Sequence, residues 1–417
     1  MKICSAKLWF ATSVLVASSA LCAGPKSGQP ALPLQPLAEK PGLLSVPGIS
    51  GKVFYVPSTL DTIKWGYLPN ATDAPLLTVP SGATVVFDTL SHEGLLEDQG
   101  RDPLKYFASH GVPAHMVLKD AIAITGSATP HDFSKDGPHI ITGPVAVDGA
   151  EPGDVLKVDI LAVQPRVPYG VISNRHGKGA LPGEYPLGPK PEADASAASP
   201  EKFHNVSVFT PIRKNKNGKW EAVMKNSRGE EITFPNVPFM GVMGVAAATD
   251  APVHSVPPGV YGGNMDINDL SAGTTVYIPV FVKGANFYTG DPHMAQGDGE
   301  VALTALEHSM RASFRLTLLK KGDARIPSAS GSLEKPFGET KQHWITIGLH
   351  ADLDEAMKDA VRESLRFLTE VLGMEPAQAY AYLSAATDYQ VSQVVDRTKG
   401  VHGMIRKSDF AKIKKTR

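Results

Sequence analysis

Residues 290–300 read GDPHMAQGDGE and set Asp291, His293, Asp298 and Glu300 among glycines. Glycine lets a backbone turn sharply, so side chains close in sequence can converge on one point. Imidazole and carboxylate are borderline-hard ligands that suit Zn²⁺ or Mn²⁺, or Ca²⁺ where more oxygens gather. The plain alternative is a solvated acidic loop whose glycines only serve turns, and the spacing alone leaves both open. A second stretch, YGGNMDIND at 261–269, alternates Asn264 and Asp266, which on a strand would share one face. Its alternative is a turn with Asx capping.

Two further places hold histidine. SHEG at 91–94 places His92 beside Glu93, which in an extended chain would point opposite ways, one into a site and one orienting neighbours. His139 opens the strand-like PHIITGP; a lone histidine is more often a satisfied structural group than a ligand. His254 reads as a loop residue. Lys283, just past a strong strand, could lie near a site with its pKa lowered by burial, or be solvated. Trp65, Tyr261, Phe287 and Tyr288 could line a small pocket, although core packing is the commoner job. The chain has no phosphate-binding GKS/GKT loop, no dinucleotide fingerprint and no GxSxG elbow.

The elements that must position these residues read as mainly β: sandwich or barrel-like sheets, antiparallel or mixed, with a smaller α/β portion and C-terminal helices. Gly (39) and Pro (34) are abundant, which favours many turns over long helices. Between 52 and 87 the runs KVFYV and ATVVFDTL suggest strands of an antiparallel sheet. Residues 91–113 look irregular. Strands are expected near 144–147 and 155–163 around the turn AEPGD. Residues 167–200, full of Gly, Pro and Ala, read as a long surface loop or lid. Alternation over 206–234 breaks at a turn near 215–219, and TTVYIPVFV at 274–282 is a buried strand. Strands follow near 312–319 and 344–349. Helical spacing covers 353–372 and 376–386, and 391–395 reads as a closing strand.

Bulk properties narrow the function classes. The 417 residues hold 41 Lys+Arg against 42 Asp+Glu, which gives no electrostatic reason to expect nucleic acid or an anionic membrane as partner. Residues 1–23 combine Lys2 and Lys7, an apolar run and closing small residues, the layout of a secretory signal peptide. Export to the periplasm or exterior is the expectation, with no membrane span in the mature form. Both cysteines, Cys4 and Cys22, fall in this segment, so disulfides, thiolate nucleophiles and Cys-bound zinc are not expected after cleavage. Residues 24–50 read as an extended arm, 51–405 as the catalytic region, in one piece or two interlocked subdomains, and 406–417 as a frayed basic tail.

Taken together, the segments 139–160, 238–246, 257–307 and 388–396 resemble the acetamidase/formamidase family in order and spacing, over roughly residues 53–405. The resemblance implies a mostly-β fold, self-association as a dimer or larger homo-oligomer, and metal-supported hydrolysis of a small linear amide to a carboxylic acid and ammonia. The divalent metal expected is Zn, with Ca or Mn as alternatives. On this reading Asp266, Asp291 and His293 bind the ion, Glu300 is general base on the water and then proton donor to the leaving amine, and Asn264 or a backbone N–H of the glycine-rich turns steadies the oxyanion. His92 and His139 are further acid/base groups or ligands. A metal-free rival has a carboxylate activate water with Lys283 as electrophile. A rival function is an exported protein that binds a small amide or metal without turnover. The signal segment, SHEGLLEDQG and the 167–200 insertion depart from the family's better-known intracellular members, which bears on the substrate more than the fold.

Overall fold

A computed structural model describes residues 32–412. The expected signal peptide, residues 1–23, lies outside the described residues. Two large sheets carry the architecture, one of ten strands and one of eleven. Alternating β-branched and aromatic residues give each strand one face for the space between the sheets. In the ten-stranded sheet, Val155–Pro165 and Met310–Leu319 pair antiparallel from Met310 opposite Pro165 to Leu319 opposite Val155, with one register shift at Ser313 and Phe314. In the other, Ile140–Val147 and Phe239–Val245 are buried at every position. Such near-continuous apolar runs mark strands covered on both faces.

The main core lies between the sheets. Phe87 and Phe314 from one meet Phe287 from the other, with ring centroids 5.8 and 5.3 Å apart. Met240, Met243, Met294 and Met310 fill the irregular remainder. Helix Leu353–Arg366 starts where the Asp352 carboxylate accepts from Glu355 N at 3.1 Å. It packs Ala356 and Ala360 so tightly on strand His343–His350 that only glycine fits at Gly348. These elements form a rear wall, far in sequence from the glycine-rich motifs.

Several expectations need correction. The strands between 52 and 87 belong to both sheets and pair in a mixed manner: Lys52–Val56 runs parallel to Ala83–Asp88 in the ten-stranded sheet, and Leu77–Val79 parallel to Ile140–Val147 in the other. Helices are not confined to the C-terminal part, since Pro103–Ser109 and Lys119–Thr125 are helical. The first is capped by Asp102, which accepts from Lys105 N, with Pro103 at the first helical position. The expected loop at 167–200 contains the strand Tyr169–Asn174 at its start. Within the expected arm, Gly42–Ser45 is a strand, and Leu34 exchanges hydrogen bonds with the Arg166 backbone and guanidinium. The closing strand is Lys399–Arg406, after Asp388–Gln393, and Lys407–Phe410 forms a turn with Lys407 Nζ 2.6 Å from Glu339. The 407–410 part of the basic tail is therefore docked, and residues 413–417 lie outside the described residues. Among the described residues no helix is long and apolar enough to cross a membrane.

Candidate functional site

Strand Phe287–Ala295 is the spine of the site. Asp291 and His293 stand two residues apart on it, Asp291 in a left-handed conformation (φ 48°), and their side chains meet with His293 Nε2 2.9 Å from Asp291 Oδ2. Phe239–Val245 pairs alongside, and Asp291 falls opposite Gly241, between the pairs Met240–Pro292 and Val242–Gly290. Gly241 leaves the room the cluster needs. A Cβ there would come within 2.7 Å of Asp291 Oδ2 and 2.8 Å of His293 Cε1, and closer still to Asp266 Oδ1.

Other chain segments close on this point. Asn264 ends the strand Gly262–Asn264, while Asp266 sits past it in a left-handed conformation (φ 50°). The pair thus reaches the site from a turn, not from one face of a continuous strand. His139 immediately precedes Ile140–Val147. His92 follows Ala83–Asp88 in a turn that folds Glu93 back toward it, with His92 Nε2 3.2 Å from Glu93 Oε1. The two side chains therefore face each other, against the opposed orientation expected of an extended chain. Glu307 comes from the short strand Leu306–Glu307. Glu300 and Asp396 meet because the loop at 297–300 bridges Gln393: Gly299 N donates to Ser392 O and Val394 N to Gly299 O.

The result is a buried nest of five carboxylates and three imidazoles: Asp266, Asp291, Glu300, Glu307, Asp396, His92, His139 and His293. Asp291 is the hub. Its Oδ1 lies 3.6 Å from His139 Nε2 and 3.7 Å from His92 Nδ1, and its Oδ2 lies 2.9 Å from His293 Nε2. Four subsets bring ligand atoms within 4.8 Å of one another: His92–His139–Asp291, Asp266–Asp291–His293, His293–Glu300–Glu307 and Asp266–Glu300–Asp396. Of the residues expected at the site, Asp266, Asp291, His293, Glu300, His92 and His139 are in the nest and Asn264 lines the cavity beside it. Glu307 and Asp396 were not singled out from sequence, although both sit within family-like segments. Asp298 bonds Asn268 instead. Lys283 is exposed and Phe287 and Tyr288 are core residues.

So many buried groups cannot all be charged. Asp291 remains ionised: burial would raise its pKa, but His139 and His293 hold it far below the usual range. Burial, then the charge of Asp266, pushes Glu300 well up. Burial and the same neighbour do so to Asp396. Burial raises Asp266 to about 6 and, with the charge of Asp291, Glu307 to about 7. Burial lowers His139 to about 4. Burial also opposes charge on His293, but Glu307 and Asp291 together lift it well above its ordinary value.

The hydrogen-bond pattern says what the nest lacks. Gln296 Nε2 donates to the carbonyls of Asp266 and Ser392, so its Oε1 must accept from His293 Nδ1, 3.0 Å away. That leaves His293 Nε2 facing two carboxylates, Asp291 at 2.9 Å and Glu307 at 3.1 Å. A lone pair between two acceptors requires a positive species there, a proton or a metal cation. His139 is oriented in the same manner by Ser255 Oγ on its Nδ1 at 3.0 Å. Both oxygens of Asp266, Asp291 Oδ1, Glu307 Oε2 and His92 Nδ1 are buried without a hydrogen-bond partner. This donor set of imidazole and carboxylate fits a divalent cation: ligand atoms ~2.0–2.2 Å from one ion stand about 3–3.5 Å apart. A shell behind it is rigid. Arg175 bridges Glu93 Oε1 at 2.8 Å and Asp98 Oδ2 at 2.7 Å, and Gln99 and Ser173 also donate to Glu93.

Six residues of the nest, His92, His139, Asp291, Glu300, Glu307 and Asp396, line a cavity of about 200 Å³, while Asp266 and His293 are buried outside its lining. The volume is small beside the ~300–1,000 Å³ of sites for drug-sized ligands. Comparison with known proteins adds three findings. Residues 131–254 and 245–405 match the family described as the Acetamidase/Formamidase family. The chain is 30% identical to a formamidase of Methylophilus methylotrophus over 44% of its own length and 52% of that protein, and 30% identical to an acetamidase of Mycolicibacterium smegmatis over 53% and 65%. The alignments thus span between half and two thirds of those relatives. The crystal structure of an acetamidase from Bacillus halodurans superposes with a TM-score of 0.64 and 25% identity, over 86% of this chain and 99% of that one.

Proposed function

The chain belongs to the Acetamidase/Formamidase family, and from that premise we propose that it hydrolyses the C–N bond of a small amide, releasing a carboxylic acid and ammonia. One observation carries the reading: a buried acid–imidazole nest with unpartnered polar atoms lines a cavity of small-amide size. We further propose that Asp266, Asp291 and His293 would hold a divalent cation, zinc first among the candidates, with His92 and His139 on the open side of Asp291. When bound, it supplies a Lewis acid that polarises an amide carbonyl and acidifies water.

The chain's own groups divide the rest of the work. Asn264 lines the cavity and offers its amide dipole to the substrate's carbonyl and NH₂. Glu307, with a pKa near 7, is suited to take a proton from the attacking water. Glu300, whose pKa is pushed well up by burial and by the charge of Asp266, is suited to give a proton to the departing nitrogen as the C–N bond breaks. From sequence Glu300 is expected as base on the water and then as donor to the leaving amine, and its raised pKa supports the donor part. Burial of the nest strengthens each of these contacts.

Export belongs to the same reading and is supported by the composition of residues 1–23; the N-terminal sequence of protein recovered outside the cytoplasm tests it. Self-association is supported by the exposed apolar side chains of Leu181, Leu187 and Val301, and sedimentation tests it. The test of the central reading is ammonia release from formamide, acetamide and propionamide by purified protein. Turnover of at least one is expected; binding of amides without ammonia would replace the hydrolase with a binding protein.

A further inference from the structure

We propose that the amide processed here carries a second, anionic group, and that Lys178 and Arg397 at the cavity mouth hold it. The substrate class is the monoamide of a short dicarboxylic acid. The inference rests on the amidase reading and deepens it.

The cavity is chemically graded. Its buried lining includes six residues of the titratable nest; its mouth is lined by Lys178, Arg397, Arg175 and the imidazoles of His131, His176 and His254. Most of these are already committed. Arg175 is neutralised by Glu93 and Asp98. His131 lies against Glu97 and the Gly137 carbonyl. His176 Nε2 faces the His204 carbonyl, and His254 bonds the Lys135 carbonyl and Val256 N. Lys178 Nζ and the Arg397 guanidinium have neither an ion pair nor a side-chain hydrogen bond among the described residues. The acid on this rim, Asp136, accepts from Tyr67 Oη at 2.7 Å and Asp132 N at 2.7 Å.

Both cations belong to the lining of the same cavity, and the backbone of each is set by a turn. Arg397 occupies a left-handed conformation at φ 64°, costly for a side-chain-bearing residue. Gln393 enforces it: its Oε1 accepts from Val395 N and Asp396 N at 3.0 and 3.1 Å, and its Nε2 donates to Thr398 O at 2.7 Å. Lys178 is fixed by the turn in which its N donates to Arg175 O, and by Ala180 N on Val301 O. Crowding first, then the charges of Arg397 and Arg175, lower the Lys178 pKa, although its tip keeps solvent contact. Two exposed cations without a counter-ion on the lining of one small cavity are complementary to a carboxylate, which arginine can clamp in a bidentate manner. An amide bound at the nest with its far end at the mouth would supply that carboxylate.

The test compares kcat/KM for succinamate, glutaramate and adipamate with that for propionamide, butyramide and valeramide. One acid amide should exceed its neutral counterpart by about tenfold or more at low salt, with the advantage shrinking as salt rises. Lys178→Gln and Arg397→Gln should each raise KM for that acid amide about tenfold more than for the neutral one, which also reports on folding. If neutral amides are cleaved and no acid amide is preferred, or if the variants affect both alike, this inference falls and the amidase reading stands. If none of the six is cleaved, the amidase reading falls and takes this inference with it.

Discussion

Gly241→Ala is a single-methyl test of the nest. The added Cβ would stand 2.7 Å from Asp291 Oδ2 and 2.8 Å from His293 Cε1, and against Asp266 Oδ1. Carbon–oxygen contacts relax near ~3.4 Å, so these groups must retreat by about 0.5–1 Å. Displacement of that size in a reacting constellation costs on the order of 10²-fold in rate. The stability cost of overpacking is about 1–3 kcal/mol, small enough to leave the fold in place. The assay is kcat/KM for acetamide or propionamide by ammonia release, beside a thermal melt and metal content. Gly42→Ala, where nothing lies within 4 Å, is the control and should match the wild type. If Gly241→Ala melts cooperatively and retains kcat/KM within about twofold, a 10²-fold effect is refuted and the chemistry does not depend on this convergence.

Further predictions reach other parts of the account. Arg175→Met leaves Glu93 and Asp98 buried without their counter-charge and should destabilise the protein by about 3–5 kcal/mol in urea unfolding; an unchanged midpoint would show that Arg175 does not hold this shell. Burial lowers the pKa of His308 to about 4, below the ~6.5 of an unfolded chain, so its neutral form stabilises the fold above that value. That contribution is lost as pH falls from ~6.5 toward 4, about 2 kcal/mol between pH 7.5 and 5. His308→Gln should flatten this part of the stability–pH curve, and an unchanged slope would contradict the assignment. Prolonged chelation should abolish ammonia release, with recovery on adding Zn²⁺, Mn²⁺ or Ca²⁺; full activity after verified metal removal would remove the cation from the mechanism.

What could be read before the structure follows from where the information resides. Asp291 and His293 lie two residues apart in a distinctive glycine-rich string, so ligand-type residues and the turns that converge them are visible together. Helix Pro376–Ala386 was legible to both ends because Pro376 opens it and Ala and Leu continue it. Asp396 is harder, because it reaches the nest through a pairing with a distant segment, while Glu307 pairs opposite His293 from a strand of only two residues. The Gly299–Gln393 bridge joins residues almost a hundred positions apart and leaves no local trace. Parallel pairing of Lys52–Val56 with Ala83–Asp88 was hidden for the same reason. The early helix Pro103–Ser109 did leave a signal in Asp102 and Pro103, a cap followed by a proline at the first helical position, but it is short and has no long apolar period. The rim pair was invisible because a lysine in a glycine-rich loop and an arginine after an aspartate look solvated until the cavity is drawn around them.

Asp291 touches three of the imidazoles in the nest, so the most direct measurement is ammonia release by Asp291→Asn beside the wild type, with matched circular dichroism. The account predicts that the wild type releases ammonia from a small amide and that the variant is slower by about 10²-fold or more while folded, as loss of a central electrostatic group requires. A folded Asp291→Asn protein that releases ammonia as fast as the wild type would contradict it.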